Sequence, residues 1–164
     1  MKHCNLIQAE NGLYKAEGDV EPEAIIHTAS QILLDRLIDG EALCSAPATK
    51  QFLQMALADS DEEHFGVIFL SSQHHVLDFE VLFNGTINQS SAHPRVVVKK
   101  ALQHNAGAVI LAHNHPSDVV EPSIADKHIT EQLKEALTLI DIRVLDHIIV
   151  GRAETYSFAE NGLI

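Results

Sequence analysis

An α/β or α+β sandwich around one central sheet is the fold class that this sequence of 164 residues predicts. Strand-like apolar runs are interleaved with segments of helical spacing, an order that layers helices against a sheet. Hydrophobic residues make up 46% of the chain and charged residues 21%, an ordinary globular balance far from the signature of disorder. A chain of this length is expected to form one core, burying roughly two-thirds of the surface exposed when unfolded.

The elements follow in order. From Glu21 to Ile38, Ile25, Ile26, Ala29, Ile32, Leu33 and Leu37 recur at helical spacing, and Gly40 is a stop. This apolar stripe must cover either the core or a second copy of the chain. Glu41 to Ala48 reads as a short connection, and a second helix follows around Phe52, Leu53, Met55 and Ala56. Phe65–Leu70 and Val76–Phe83 are rich in β-formers and read as two strands joined by the turn from Ser72 to His75. After a turn at Asn84-Gly85-Thr86, Pro94 opens a helix that Gly107 ends, against the β preference of three consecutive valines. Ala108–Ala112 suits a buried strand, Ser123–Ile140 a long amphipathic helix and Ile142–Val150 another buried strand.

Charge and cysteine usage narrow the function. With 11 Lys+Arg against 23 Asp+Glu the formal net charge is -12, which repels a phosphate backbone and makes nucleic acid a poor default partner. A local basic patch around Arg95, Lys99 and Lys100 is the one exception to this acidic balance. Cys4 and Cys44 form no Cys-x-x-Cys pair or disulfide framework, so a reducing cytoplasm is expected. The alternating stretch from Met1 to Asn11 shows no secretory pattern and no run approaches transmembrane length, so membrane insertion is not expected.

The chemistry gathers where the strand at Ala108–Ala112 runs into His113-Asn114-His115-Pro116. Side chains at i and i+2 leave a strand on one face, so the two imidazoles converge. Pro116 ends the pairing, the loop from Ser117 to Pro122 turns the chain, and Asp126 falls in the first turn of the following helix. Two imidazoles and a carboxylate leave the fourth tetrahedral position of a zinc ion open to water, the layout of a catalytic site, and such water ionises near neutral pH. Ser123-x-x-Asp126 is equally a capping box with no metal involved, and among 11 His two loop histidines need no special role. It is the conjunction of strand end and helix start within fourteen residues that favours the metal.

HNHPSDVVEPSIAD fits the JAMM metalloprotease pattern His-x-His-Pro, six residues, Ser-x-x-Asp. With EHFGVIFL, EVLFNGTINQS, AHPRVVVKKALQHNAGAVILAHNHPS, DIRVLDHIIVG and YSFAENGL, the chain from about Ser45 to Ile164 resembles the RadC-like branch of the JAB/MPN superfamily. The resemblance implies a JAB/MPN-like α/β sandwich whose twisted, mixed central sheet is flanked by helices. A helical extension over residues 1–42 would precede the metal-binding domain over 43–164. It implies a zinc ion on His113, His115 and Asp126. Glu63, with Glu62 as the adjacent alternative, would be the acceptor of a proton from the metal-bound water, and Ser123 the hydroxyl that steadies the oxyanion. Two positions depart from the RadC-like pattern: Val96 stands where Glu is usual after His-Pro-Arg, and Asp118 where Gly is usual after Pro-Ser.

The leading expectation is therefore a zinc-dependent hydrolase of peptidase or isopeptidase type acting on a peptide or amide-linked protein. A catalytically silent zinc-binding module and a DNA-associated RadC-like protein are the alternatives, and a homo-oligomer is one use for the N-terminal stripe. Asp146-His147 reads as a buried hydrogen-bonded pair, a role behind the metal ligands being the lesser reading.

Overall fold

A computed structural model describes residues 6–9, 12–16, 18–40, 46–85 and 92–164. Along it run β1 (Leu6–Gln8), β2 (Tyr14–Ala16), α1 (Pro22–Asp39), α2 (Ala46–Leu57), β3 (His64–Leu70) and β4 (Val76–Asn84). Then come α3 (Pro94–Gln103), β5 (Ala108–Asn114), α4 (Ile124–Thr138), β6 (Arg143–Val150) and β7 (Thr155–Ser157). The last five strands form a mixed sheet in the order β4-β3-β5-β6-β7, in which β5 and β6 alone are parallel, joined through α4.

Side-chain alternation builds a core on each face of this sheet. Phe65, Val67 and Phe69 of β3 join Val109 and Leu111 of β5 on the face that packs Val97 and Ala101 of α3 and Ile129, Leu133 and Leu137 of α4. Ile68 and Leu70, with Ala108, Ile110 and Ala112, face the opposite way onto Leu34 of α1 and Phe52, Leu53 and Leu57 of α2. Every residue of β5 is buried, as befits a central strand covered by helices on both sides. The series Val109, Leu111, His113 therefore carries its histidine toward α4, whereas Ala112 carries Asn114 toward the other face.

Some expectations change at the element ends. Ala46-Pro47-Ala48, expected in a connection, is the first turn of α2, where proline is tolerated because the early N–H groups lack helical partners. Helix α3 ends not at Gly107 but at His104, with Asn105 at φ 51° reversing the chain. Gly107 instead permits a close approach, since a Cβ there would lie 2.8 Å from the backbone of Ser72. The N-terminal stretch holds, besides α1, the hairpin β1–β2, which the expected helical extension does not contain. Cys4, Cys44, Thr86 and the proposed boundary after residue 42 lie outside the described residues. Among the described residues no helix is long and apolar enough to cross a membrane.

Candidate metal centre

At the end of β5 the two histidines converge. His113 is fully buried, His115 follows one residue beyond the strand, and their Nε2 atoms are 2.9 Å apart. Each ring is fixed from behind. His115 Nδ1 donates to the Val119 carbonyl at 2.5 Å, and His113 Nδ1 meets His147 Nε2 at 2.8 Å. Both Nε2 atoms are thereby directed at one point.

The third group arrives on α4. Ser123 is its N-cap: Ser123 Oγ accepts from Asp126 N–H at 3.1 Å, and Ser123 N–H donates to Asp126 Oδ2 at 2.7 Å. The capping box expected as a rival to the metal site is present, and it coexists with convergence on the histidines. Asp126 Oδ1 lies 3.2 Å from His113 Nε2, and Oδ2 lies 3.5 Å from His115 Nε2. The box thus orients the carboxylate instead of diverting it.

Glu63, in the turn before β3, completes the group: one ligand-type atom from each of Glu63, His113, His115 and Asp126 lies within 4.8 Å of the others. Glu62 is exposed and outside this group, although both glutamates line the cleft above it, which has a volume of about 620 Å³. The turn is held by buried Asn114, whose Oδ1 accepts from His64 N–H at 2.7 Å and whose Nδ2 donates to the Glu62 carbonyl at 3.0 Å. These two bonds bracket Glu63 and set which glutamate faces inward.

Electrostatics agree with the geometry. Burial alone would raise the Asp126 pKa, but the His113 and His115 rings beside it and the bond to Ser123 outweigh it and hold the carboxyl well below the usual range. The bond to Asp126 raises the pKa of His115 against the effect of burial, with help from the Val119 carbonyl and the charges of Asp126 and Glu63. Burial drives His147 well below the usual histidine range, so this ring is neutral.

Thr130 and Asn114 are the site neighbours that sequence reasoning did not assign, while His147 lies behind His113, the place that the lesser of its two expected readings gave it. His147 and Asp146 are bonded, but through the His147 backbone N–H, which donates to Asp146 Oδ1 at 2.7 Å, and not through the ring. Asp146 accepts from Ser157 Oγ at 2.6 Å, while the His147 ring bonds His113 and, at 2.6 Å, Thr130. The place of His147 in the apolar strand LDHIIVG was its only sequence signal. Asp118, in place of the usual glycine, keeps a positive φ of 65° and accepts the Arg152 N–H through Oδ1, tying the metal loop to the β6–β7 turn. Val96 is the third residue of α3, whose N-cap His93 makes no side-chain capping bond. A second group, Asp78, Glu80 and His104, is engaged within the fold, because Glu80 pairs with the Lys100 ammonium at 2.5 Å and meets His104 Nε2 at 2.6 Å. Lys100 is thereby withdrawn from the basic patch around Arg95 and Lys99.

A strand-end pair of histidines facing a helix-start aspartate on a helix-flanked mixed sheet is a JAB-like arrangement, and the RadC-like JAB domain model matches residues 43–163. The chain belongs to the RadC-like JAB domain family. It is 51% identical over 145 residues to a UPF0758 protein of Vibrio cholerae, covering 88% of this chain and 65% of that protein. A UPF0758 protein of Methylibium petroleiphilum is 50% identical over 159 residues, 95% of this chain and 72% of its own length. One from Nitrosococcus oceani is 54% identical over 142 residues, covering 87% and 63%. The chain thus spans about two-thirds of the length of these relatives.

Proposed function

We propose that His113, His115 and Asp126 hold one zinc ion and that the chain is a metallohydrolase of peptidase or isopeptidase type. The observation that carries this reading is the convergence of two inward Nε2 atoms and an ionised carboxylate beside Glu63 at the floor of an open cleft. With both Nδ1 atoms engaged from behind, the two inward Nε2 atoms and the anionic carboxylate are free to share one cation in place of protons, and two nitrogens with one oxygen suit zinc.

When bound, the ion supplies a Lewis acid that polarises an amide carbonyl and acidifies water. The remaining work belongs to the protein. Glu63 takes the proton of the attacking water and passes it to the leaving amine, a general-base contribution of roughly 10²–10⁴-fold. Ser123 spends a lone pair of Oγ on its cap, which leaves its hydroxyl proton to donate to the developing oxyanion. Asp61 and Glu62 add negative charge to the cleft wall, favouring amide substrates with a positive charge beside the scissile bond and opposing nucleic acid.

The test is a peptide-library and proteome cleavage screen on the wild type, Glu63→Gln and Glu62→Gln, with zinc measured on each preparation. Cleavage next to basic residues by the wild type and Glu62→Gln, lost in Glu63→Gln at full zinc content, is expected. Zinc in all three with no cleavage by any would favour the silent binding module, and equal activity in all three would remove Glu63 as the base.

A further inference from the structure

We propose that Thr130 and His147 form a buried relay that fixes the tautomer of His113, and so tunes how tightly the centre holds its metal. This rests on the metal-centre reading above.

The direction of the relay follows from counting protons. Thr130 Oγ1 lies 2.5 Å from the carbonyl of Asp126, one helical turn earlier, and a carbonyl only accepts. The single hydroxyl proton is therefore committed there. Thr130 Oγ1 also lies 2.6 Å from His147 Nδ1, and having no second proton it must accept, so the proton of His147 sits on Nδ1. His147 is entirely enclosed, stacked on Phe158 and edge-on to Phe65, and a neutral ring protonated on Nδ1 presents a lone pair at Nε2. That lone pair is 2.8 Å from His113 Nδ1 and can only accept, which places the proton of His113 on Nδ1 and its lone pair on the inward Nε2.

The relay starts at the backbone of one ligand, Asp126, and ends on the ring of another, His113. Strands β5 and β6 and helix α4 are locked in one proton arrangement. Without the hydroxyl of Thr130, His147 has no acceptor for an Nδ1 proton and gains by carrying it on Nε2. It then donates to His113 Nδ1 and moves the His113 proton to Nε2, where it blocks ligation.

The experiment compares wild type, Thr130→Val and Thr130→Ser. Zinc affinity is read by competition with a chelator, and imidazole tautomers by two-bond ¹H–¹⁵N correlation of the metal-free and zinc-loaded protein. Wild type and Thr130→Ser should show Nδ1–H on both His113 and His147. Thr130→Val, nearly isosteric, should show Nε2–H on His147 and bind zinc ~10–100-fold more weakly, a change that packing alone would not produce. An Nε2 proton on His147 in wild type, or wild-type affinity in folded Thr130→Val, overturns the proposal. If Thr130→Val does not fold, the wild-type tautomers and retention by Thr130→Ser still decide. Failure of all three, wild type included, to bind zinc overturns the metal-centre reading and the affinity half of this proposal, while the wild-type spectrum decides the tautomer half.

Discussion

Asn114 sits between the two convergent histidines in sequence, yet its carboxamide turns away from them and accepts the N–H of His64, fifty residues earlier, at 2.7 Å. The same group donates to the carbonyl of Glu62, so one residue of the metal-loop strand holds the turn that carries Glu63. Asn114→Ala should leave zinc content unchanged, cost about 1–3 kcal/mol by stranding polar partners, and speed hydrogen exchange at the His64 amide. Unchanged exchange there would show that other contacts hold the turn.

Asp118 replaces a glycine usual in this family while keeping a backbone conformation that glycine favours, with φ 65°. Its Oδ1 bond to the Arg152 N–H is the compensation. Asp118→Ala should lose that bond and retain the strained φ, falling about 1–2 kcal/mol in denaturant unfolding. Asp118→Gly loses the bond but relieves the backbone and should fall between that variant and wild type. Asp118→Gly no more stable than Asp118→Ala would mean that the positive φ carries no cost here.

Much of the centre was legible because it is local. His113, His115 and Asp126 lie within fourteen residues, and the strand-to-helix pattern between them announces itself in apolar runs, Pro116 and the Ser123 cap. His147 was legible as their neighbour only as the lesser of two readings. It lies 34 residues from His113 in sequence, and its place depends on the parallel register that sets it beside Leu111, on the His113 face of the sheet. Likewise β1, β2 and β7 span three residues each, too few for any periodicity to emerge. Pro47 hid the start of α2 because a helix-breaking residue and a first-turn residue look the same until the chain after it is seen to be helical.

The metal-free protein should be most stable near pH ~6.5 with respect to this site. His115 has a raised folded pKa, so its contribution is complete below the unfolded histidine value and lost as pH rises through the raised value. His147 has a lowered folded pKa, so its ring, neutral when folded, costs stability as pH falls below the unfolded value. The depressed Asp126 contributes throughout this window and is lost only in stronger acid. Thermal unfolding with chelator present should show both limbs, and His115→Gln should flatten the alkaline one alone. An alkaline limb that survives that substitution belongs to another group.

Asp126 is the helix cap and, in the proposed centre, the zinc-holding carboxylate, and the two roles separate by substitution. The Ser123 N–H needs only an oxygen at 2.7 Å, which the amide of an asparagine also supplies, while the inward face needs negative charge to balance a cation. Asp126→Asn should therefore keep α4 capped, with thermal stability of the metal-free protein close to wild type once the loss of the His115 interaction is allowed for, and should bind zinc far more weakly. Ser123→Ala does the reverse: it leaves the Asp126 N–H without its acceptor and costs about 1 kcal/mol, yet the carboxylate still faces His113 and zinc should remain. Measured side by side by chelator competition and thermal unfolding, the pair discriminates cleanly. Equal zinc affinity in Asp126→Asn and wild type would make the carboxylate a cap alone, and the two histidines would then have to hold the ion without it.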